Sequence, residues 1–343
     1  MSTLIQQTLL YMIPLMIVAL AGVFAERSGI INLALEGIMI FGAFTGVLFV
    51  RIMQEAGTFD AAKEADHWIA LQGLELLAML VAGICGMLFS LLLAFAAINL
   101  KADQTIGGTA LNMLAPAVVL FFVRIIANQN NLQMAKGDAA SWFMIKKSMF
   151  GYGRRDEMGF LGNTFVNKVY LATYVCLLLY VVLSVILYKT RFGLRLRSCG
   201  ENPQASDSLG INVFRMRYAG VMISGFQAGV GGFTYALTAA NCSANGSVAG
   251  FGFLALAVMI FGNWKPLNIA AGAFLFGLFK CVAACYSTLD INGDGRFWLA
   301  EIPVSSNVYR LLPYVITLLV LVFTSKQSRA PKAEGIPYDK GTR

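Results

Sequence analysis

Apolar residues gather in long runs over about 8–25, 29–50, 74–98, 105–127, 166–188, 213–240 and 308–324. Each approaches the ~20 residues that carry a helix across a bilayer. The stretch 248–289 reads differently. A short apolar piece runs to Gly262, a turn follows at Asn263-Trp264-Lys265-Pro266, and a longer run comes after it. Polar residues interrupt the first piece, which fits a half-helix that dips into the membrane and returns. The pattern predicts an all-α polytopic membrane protein with eight to ten transmembrane or half-membrane helices.

Composition strengthens this reading. Of 343 residues, 58% are hydrophobic and 13% charged, with a mean hydropathy of +0.69. Soluble domains carry about a quarter charged residues, so a water-soluble enzyme is excluded. The net charge of +8 sits between and after the apolar runs, where it speaks of topology rather than of nucleic acid. The loop 189–217 holds Lys189, Arg191, Arg195, Arg197, Arg215 and Arg217, and the tail from 325 holds Lys326, Arg329, Lys332, Lys340 and Arg343. Both are assigned to the cytoplasm. The acidic loop 51–73 suits the outside, and the basic stretch 128–165 is read as an extracytoplasmic insertion. The side of the amino terminus stays open. No cleavable signal peptide is expected, since the first apolar run lacks a basic start and a small-x-small site.

Charged and amide groups inside apolar runs need a partner or a cavity. Asn32 and Glu36 stand four apart, which would place them on one helix face. That face lines a substrate path or locks two helices together, and the sequence leaves both open. Thr105, Asn112 and Gln227 join the candidate path; Gly42 and Gly46, and Gly225 and Gly229, are small-xxx-small pairs that favour close helix packing. The cysteines form no CxxC and are read as buried apolar residues, Cys281 and Cys285 sharing a helix face; His67, the only histidine, is read as a solvated loop residue. With one mid-span glutamate and no Asp/His chain, a proton relay is not visible. No catalytic pair supports an intramembrane enzyme.

The loop after 189 carries the clearest local signal. Asn202 is a good N-cap, Pro203 fits the first helical position, and Gly210 can close the helix. A short capped helix on the cytoplasmic side is a grip for a soluble partner, the bland alternative being an ordinary basic anchor. The pattern Arg197-x-x-Gly200-x-Asn202-x-x-Ala205-x-x-x-x-Gly210-Ile211 resembles the coupling segment of ABC-importer permeases of the branched-chain amino acid, simple-sugar and nucleoside group, and the resemblance implies that Arg197, Gly200, Glu201, Asn202, Pro203, Ala205, Ser206 and Gly210 would couple to an ATPase. Glu26-Arg27-Ser28-Gly29-Ile30-Ile31-Asn32-Leu33-Ala34-Leu35-Glu36-Gly37 and Asp103-Gln104-Thr105-Ile106-Gly107-Gly108-Thr109-Ala110-Leu111-Asn112 resemble two further motifs of its nucleoside and simple-sugar branch. The likeness spans about 5–325. It departs at Ala205-Ser206, where many relatives carry Ala-Ala, and at the longer, more polar insertion 128–165.

The resemblance implies a type II importer-like permease domain over 1–325 and a cytoplasmic tail over 326–343, with the coupling segment at about 189–212. It also implies a bacterial inner-membrane location, a twin-domain ABC ATPase partner, a second permease subunit and an extracytoplasmic substrate-binding lipoprotein. The cargo would be a nucleoside, a simple sugar or a riboflavin-like ligand. The chain has no G-x-x-x-x-G-K-[ST] loop, so ATP would be hydrolysed by the partner, and this chain is not expected to be an enzyme. An autonomous secondary transporter for a small polar solute is the competing class. Outside the likeness, Asp290-x-Asn292-x-Asp294-Gly295-Arg296-x-x-x-x-Glu301 matches the EF-hand calcium loop. Asp290, Asn292, Asp294 and Glu301 would supply side-chain oxygens and Arg296 a carbonyl, clipping an outside loop. The bland alternative is an Asp-Gly turn with solvated carboxylates.

Overall fold

A computed structural model describes residues 2–64, 68–153, 159–286 and 329–340, with isolated positions between 308 and 322. The apolar runs fold as α1 (Ser2–Glu26), α2 (Leu35–Glu55), α4 (Trp68–Ile98), α5 (Gln104–Ala127), α8 (Leu171–Lys189), α11 (Val213–Thr238), α12 (Phe251–Phe261) and α13 (Pro266–Cys285). Short helices join them: α3 (Thr58–Glu64), α6 (Ala139–Trp142), α7 (Gly159–Phe165), α9 (Arg191–Glu201) and α10 (Pro203–Ser208). Every described position between 308 and 322 is also helical. Six of the described helices are long and apolar enough to span a bilayer.

Helix α11 is the axle. It packs against α4, α1 and α2, and glycine lets the backbones meet. A Cβ on Gly42 of α2 would lie 2.5 Å from the Gly229 backbone of α11, and one on Gly229 would lie 2.3 Å from the Ala82 carbonyl of α4. Gly225 meets Ser90 of α4 in the same way. Both small-residue pairs therefore serve packing, and Gln227 between the latter two is wholly buried. By contrast, most of α5 and α8 faces outward.

Four two-residue strands, β1 (Leu132–Gln133), β2 (Met144–Ile145), β3 (Val169–Tyr170) and β4 (Ser243–Ala244), pair antiparallel as β1–β4 and β2–β3. This folds the basic insertion over the end of the bundle opposite α9 and α10. Polar side chains at the helix ends pin it there. Gln54 accepts from the Ala135 N–H at 2.7 Å and donates to the Lys136 carbonyl at 3.0 Å. Gln72 donates to the Phe143 carbonyl, and Gln6, near the start of α1, donates to the Asn163 carbonyl. The amino-terminal end of α1 thus lies on the insertion side. Glu75, absent from the sequence-based candidates, is fully buried and accepts from the Ala172 N–H at 2.6 Å. It caps α8, whose own N-cap residue Tyr170 offers no side-chain bond.

The half-helix expectation for 248–262 has a physical form. Helix α12 has eleven residues, about 16 Å of rise or half the bilayer core. Its partner α13 turns back after the Asn263–Lys265 corner, where Asn263 and Trp264 adopt left-handed backbone angles. The Trp264 indole donates to Glu26 of α1 at 2.5 Å, and Tyr180 and Tyr188 of α8 donate to the Pro266 and Trp264 carbonyls.

The expected helix through 29–34 is not formed. Residues 27–34 form a turn, not helix, so Asn32 and Glu36 do not share an α-helical face. Gly29, at φ +95°, takes a backbone angle outside the helical range and marks the break.

Candidate functional site

Helix α9 starts at Thr190, whose hydroxyl accepts from the Gly193 N–H, and its interior side buries Leu196 and Cys199. Burial raises the Cys199 thiol above its ordinary value, which keeps it a neutral packing group. Gly200 is a point of close approach: a Cβ there would stand 2.4 Å from the Arg27 carbonyl of the α1–α2 turn. Arg27 and Glu201 add an ion pair at 3.1 Å across the same junction. Arg197 stacks 4.9 Å over the Tyr188 ring of α8.

Helix α10 follows without a loop. The Asn202 side chain accepts from the Ala205 N–H at 3.0 Å, Pro203 occupies the first turn, and Gly210 takes φ +79° just past the end. The cap and the stop thus stand where the sequence puts them. Ser206 faces inward and is buried, while Gln204, Ala205 and Ser208 face outward. Leu209 is 82% exposed, an apolar protrusion that capping signals alone do not flag. The chain then enters α11 through Asn212, which caps it by accepting from the Arg215 N–H.

Arg217, grouped by sequence with the loop charges, lies instead inside the first turns of α11 at 1% exposure. It donates to the Ile336 carbonyl at 3.0 Å. The tail that receives it was legible only as a basic segment. Burial pushes its Glu334 carboxyl up to about 7, against the lowering influence of Arg27.

The intramembrane candidates do not converge on one cavity. Asn32 donates to the Ser224 hydroxyl of α11 at 2.9 Å and caps the Ala34 N–H. Glu36 accepts from the Gly250 and Gly252 N–H groups at 3.0 and 2.6 Å, at the start of α12. A helix beginning inside the membrane exposes N–H groups that lipid cannot satisfy, and this carboxylate takes two of them. Asn112 of α5 accepts from the Gly37 N–H and donates to the Leu33 carbonyl, both at 2.7 Å. Lys280 donates to the Ala249 carbonyl and sits over the Phe251 ring, so it too serves this corner. Thr105 is exposed at the foot of α5, where Asp103 caps the helix. The proposed calcium ligands Asp290, Asn292, Asp294, Arg296 and Glu301, and His67, lie outside the described residues.

Comparison with known proteins decides what this architecture is. The sequence profile of the branched-chain amino acid transport system / permease component family matches residues 4–321. The chain belongs to this family. It is 41% identical to the guanosine ABC transporter permease protein NupQ of Bacillus subtilis, over 100% of this chain and 98% of that one. It is 36% identical to the nucleoside ABC transporter permease protein NupC of Lactococcus lactis, over 99% and 98%. A second Bacillus subtilis protein, the guanosine ABC transporter permease protein NupP, is 23% identical over 93% and 80%. No solved structure matches the chain. The protein is thus an ABC transporter permease, a multi-pass protein of the bacterial cytoplasmic membrane.

Proposed function

We propose that the chain is one of two unlike permease subunits of an ATP-driven nucleoside importer that works by alternating access. The carrying observation is the α9–α10 unit: a short helix capped at both ends, bolted to the α1–α2 turn and the base of α11, at the end of the bundle that we assign to the cytoplasm from its basic loop. A twin-domain ATPase gripping α10 would move that unit as a block. Gly200 against Arg27 would pass the movement to α1 and α2, and Asn212 would pass it to α11, the helix that α1, α2 and α4 surround. Packed helices tend to switch between arrangements rather than bend, so a shift at α10 becomes a rocking of the bundle.

The nucleoside assignment rests on the names of the two strongest relatives quoted above. The unlike pair rests on Bacillus subtilis having two guanosine permeases, at 41% and 23% identity to this chain. We place the path where α5 faces the second permease, because Thr105 and Thr109 are exposed there while Asn32, Glu36 and Gln227 are sealed inside. The extracytoplasmic binding lipoprotein would dock on the insertion side. The loop 290–301 stays in this reading as a calcium clip on that same side.

The test is purification from native membranes in mild detergent, with mass spectrometry of what copurifies. An ATPase and a second permease are expected, and Ala205→Arg on the outer face of α10 should release the ATPase while leaving the permease pair intact. A chain that purifies alone, or an Ala205→Arg variant that keeps its ATPase, overturns the assignment.

A further inference from the structure

The tail is folded back across the end of the bundle that carries α9 and α10, and it touches nearly every turn there. Arg329 N–H donates to Asn263 at the α12–α13 corner, Ala333 N–H to the Gly200 carbonyl, and Gly335 N–H to the Gly29 carbonyl. Buried Arg217 holds the Ile336 carbonyl. Tyr338 is 6% exposed, packed on Cys199 and Val213 with its ring 5.4 Å from that of Phe214. Lys101, in the α4–α5 turn, pairs with Asp339 at 2.7 Å.

This anchoring creates a surface that α10 alone would lack. A polar groove of about 280 Å³ runs between the two, with Gln204, Asp207 and Ser208 on one wall and Asp339 and Lys340 on the other. Asp207 is half-buried in it, and among the described residues no cation stands within salt-bridge distance of its carboxylate. Leu209 projects beside it. An apolar anchor next to a polar, partly desolvated rim is the anatomy of a protein–protein contact.

We infer that residues 338–340 and α10 together form the ATPase seat, with a segment of the ATPase that presents a basic side chain to Asp207 lying in the groove and covering Leu209. This rests on the importer reading above and extends the docking surface from one helix to a helix and a tail. The tail then does two things. It braces α9 against the α1–α2 turn, and it supplies the second wall of the contact.

The test adds single cysteines, Ser208→Cys on the helix and Lys340→Cys on the tail, and labels inside-out vesicles with a membrane-impermeant maleimide. Vesicles carry the permease pair with or without its ATPase. Both added cysteines are expected to label at least about tenfold more slowly with the ATPase present. Protection of Ser208→Cys with unchanged labelling of Lys340→Cys overturns the composite seat and leaves the importer reading standing. No protection at either position overturns both. Protection of Lys340→Cys without ATPase means that a permease copy fills the groove, which also overturns the inference. As a second variant, Asp207→Lys should reduce copurified ATPase about tenfold at unchanged permease level; an undiminished yield contradicts the assigned basic partner.

Discussion

Glu36 is the residue on which the interior of this permease turns, and its replacement has a calculable cost. Its two carboxylate oxygens take the Gly250 and Gly252 N–H groups separately, and Gly250, the N-cap residue of α12, has no side chain to do so. Glu36→Ala leaves both donors, Gly252 buried and Gly250 half-buried, without acceptors. At about 1–3 kcal/mol for each unsatisfied group, the loss is about 4 kcal/mol. Losing a negative charge at a helix N-terminus adds to it in the same direction. For 343 residues, at about 2.1 cal/mol/K of unfolding entropy per residue, 1 kcal/mol corresponds to about 1.4 °C. The melting midpoint of the detergent-solubilised protein, read by size-exclusion chromatography after heating, should therefore fall by about 5–6 °C. Glu36→Gln keeps one acceptor and turns an amide donor toward the other N–H, so its midpoint should lie between wild type and Glu36→Ala. Thr105→Ala, at an exposed hydroxyl, serves as the control and should not move it. A Glu36→Ala midpoint within about 1 °C of wild type, on the same scale, refutes the reasoning. If nucleoside uptake disappears at that unchanged midpoint, Glu36 belongs to the transport path instead.

Two other outcomes follow from the same structure, and a third from the sequence. Gly42→Ala drives a methyl into the Gly229 backbone, 2.5 Å away; with no flexible side chain to yield, it should cost about 2–3 kcal/mol and lower the yield of monodisperse protein. Gly73→Ala, with nothing within 4 Å, should not. The Glu334 carboxyl, held up to about 7 from an ordinary 4.5, keeps a proton in the docked tail that a released tail gives up. Docking is therefore firmest below pH 4.5, weakens as pH rises from there through 7, and levels off above. Limited proteolysis should cut the tail faster at pH 8 than at pH 6, and Glu334→Gln should flatten that difference. Finally, the loop 290–301 should bind calcium at about 10⁻⁴–10⁻³ M, the range of extracellular sites. Calcium should raise the melting midpoint of wild type and not of Asp290→Ala, and equal responses would remove the calcium assignment.

The membrane-spanning architecture was legible because lipid imposes a one-dimensional rule: a run must be long and apolar, and most runs were. The short helix α10 was legible for a local reason too. Asn202, Pro203 and Gly210 each act on their own few residues of backbone, so spacing suffices to place them. What spacing could not give is the long-range partner. Asn32 and Glu36 looked like neighbours on a helix, yet Asn32 reaches Ser224 and Glu36 reaches Gly250 and Gly252, about two hundred residues on. Arg217 stood among solvated arginines in sequence, and only the returning tail reveals why it is buried. Glu75 fell at the edge of an apolar run, where a carboxylate reads as an interfacial charge. Its role as a cap depends on α8 beginning beside it. The signal in each case is a charged or amide group at or within an apolar run, which announces that a partner exists without saying which.

Reconstitution of the whole complex into liposomes, with ATP supplied to the cytoplasmic face and labelled nucleoside with the binding lipoprotein supplied to the other, tests the central claim most directly. The account predicts nucleoside accumulation that requires ATP hydrolysis and that Ala205→Arg abolishes while both permeases remain in the membrane. Accumulation or exchange by this chain alone, without ATP, would contradict it.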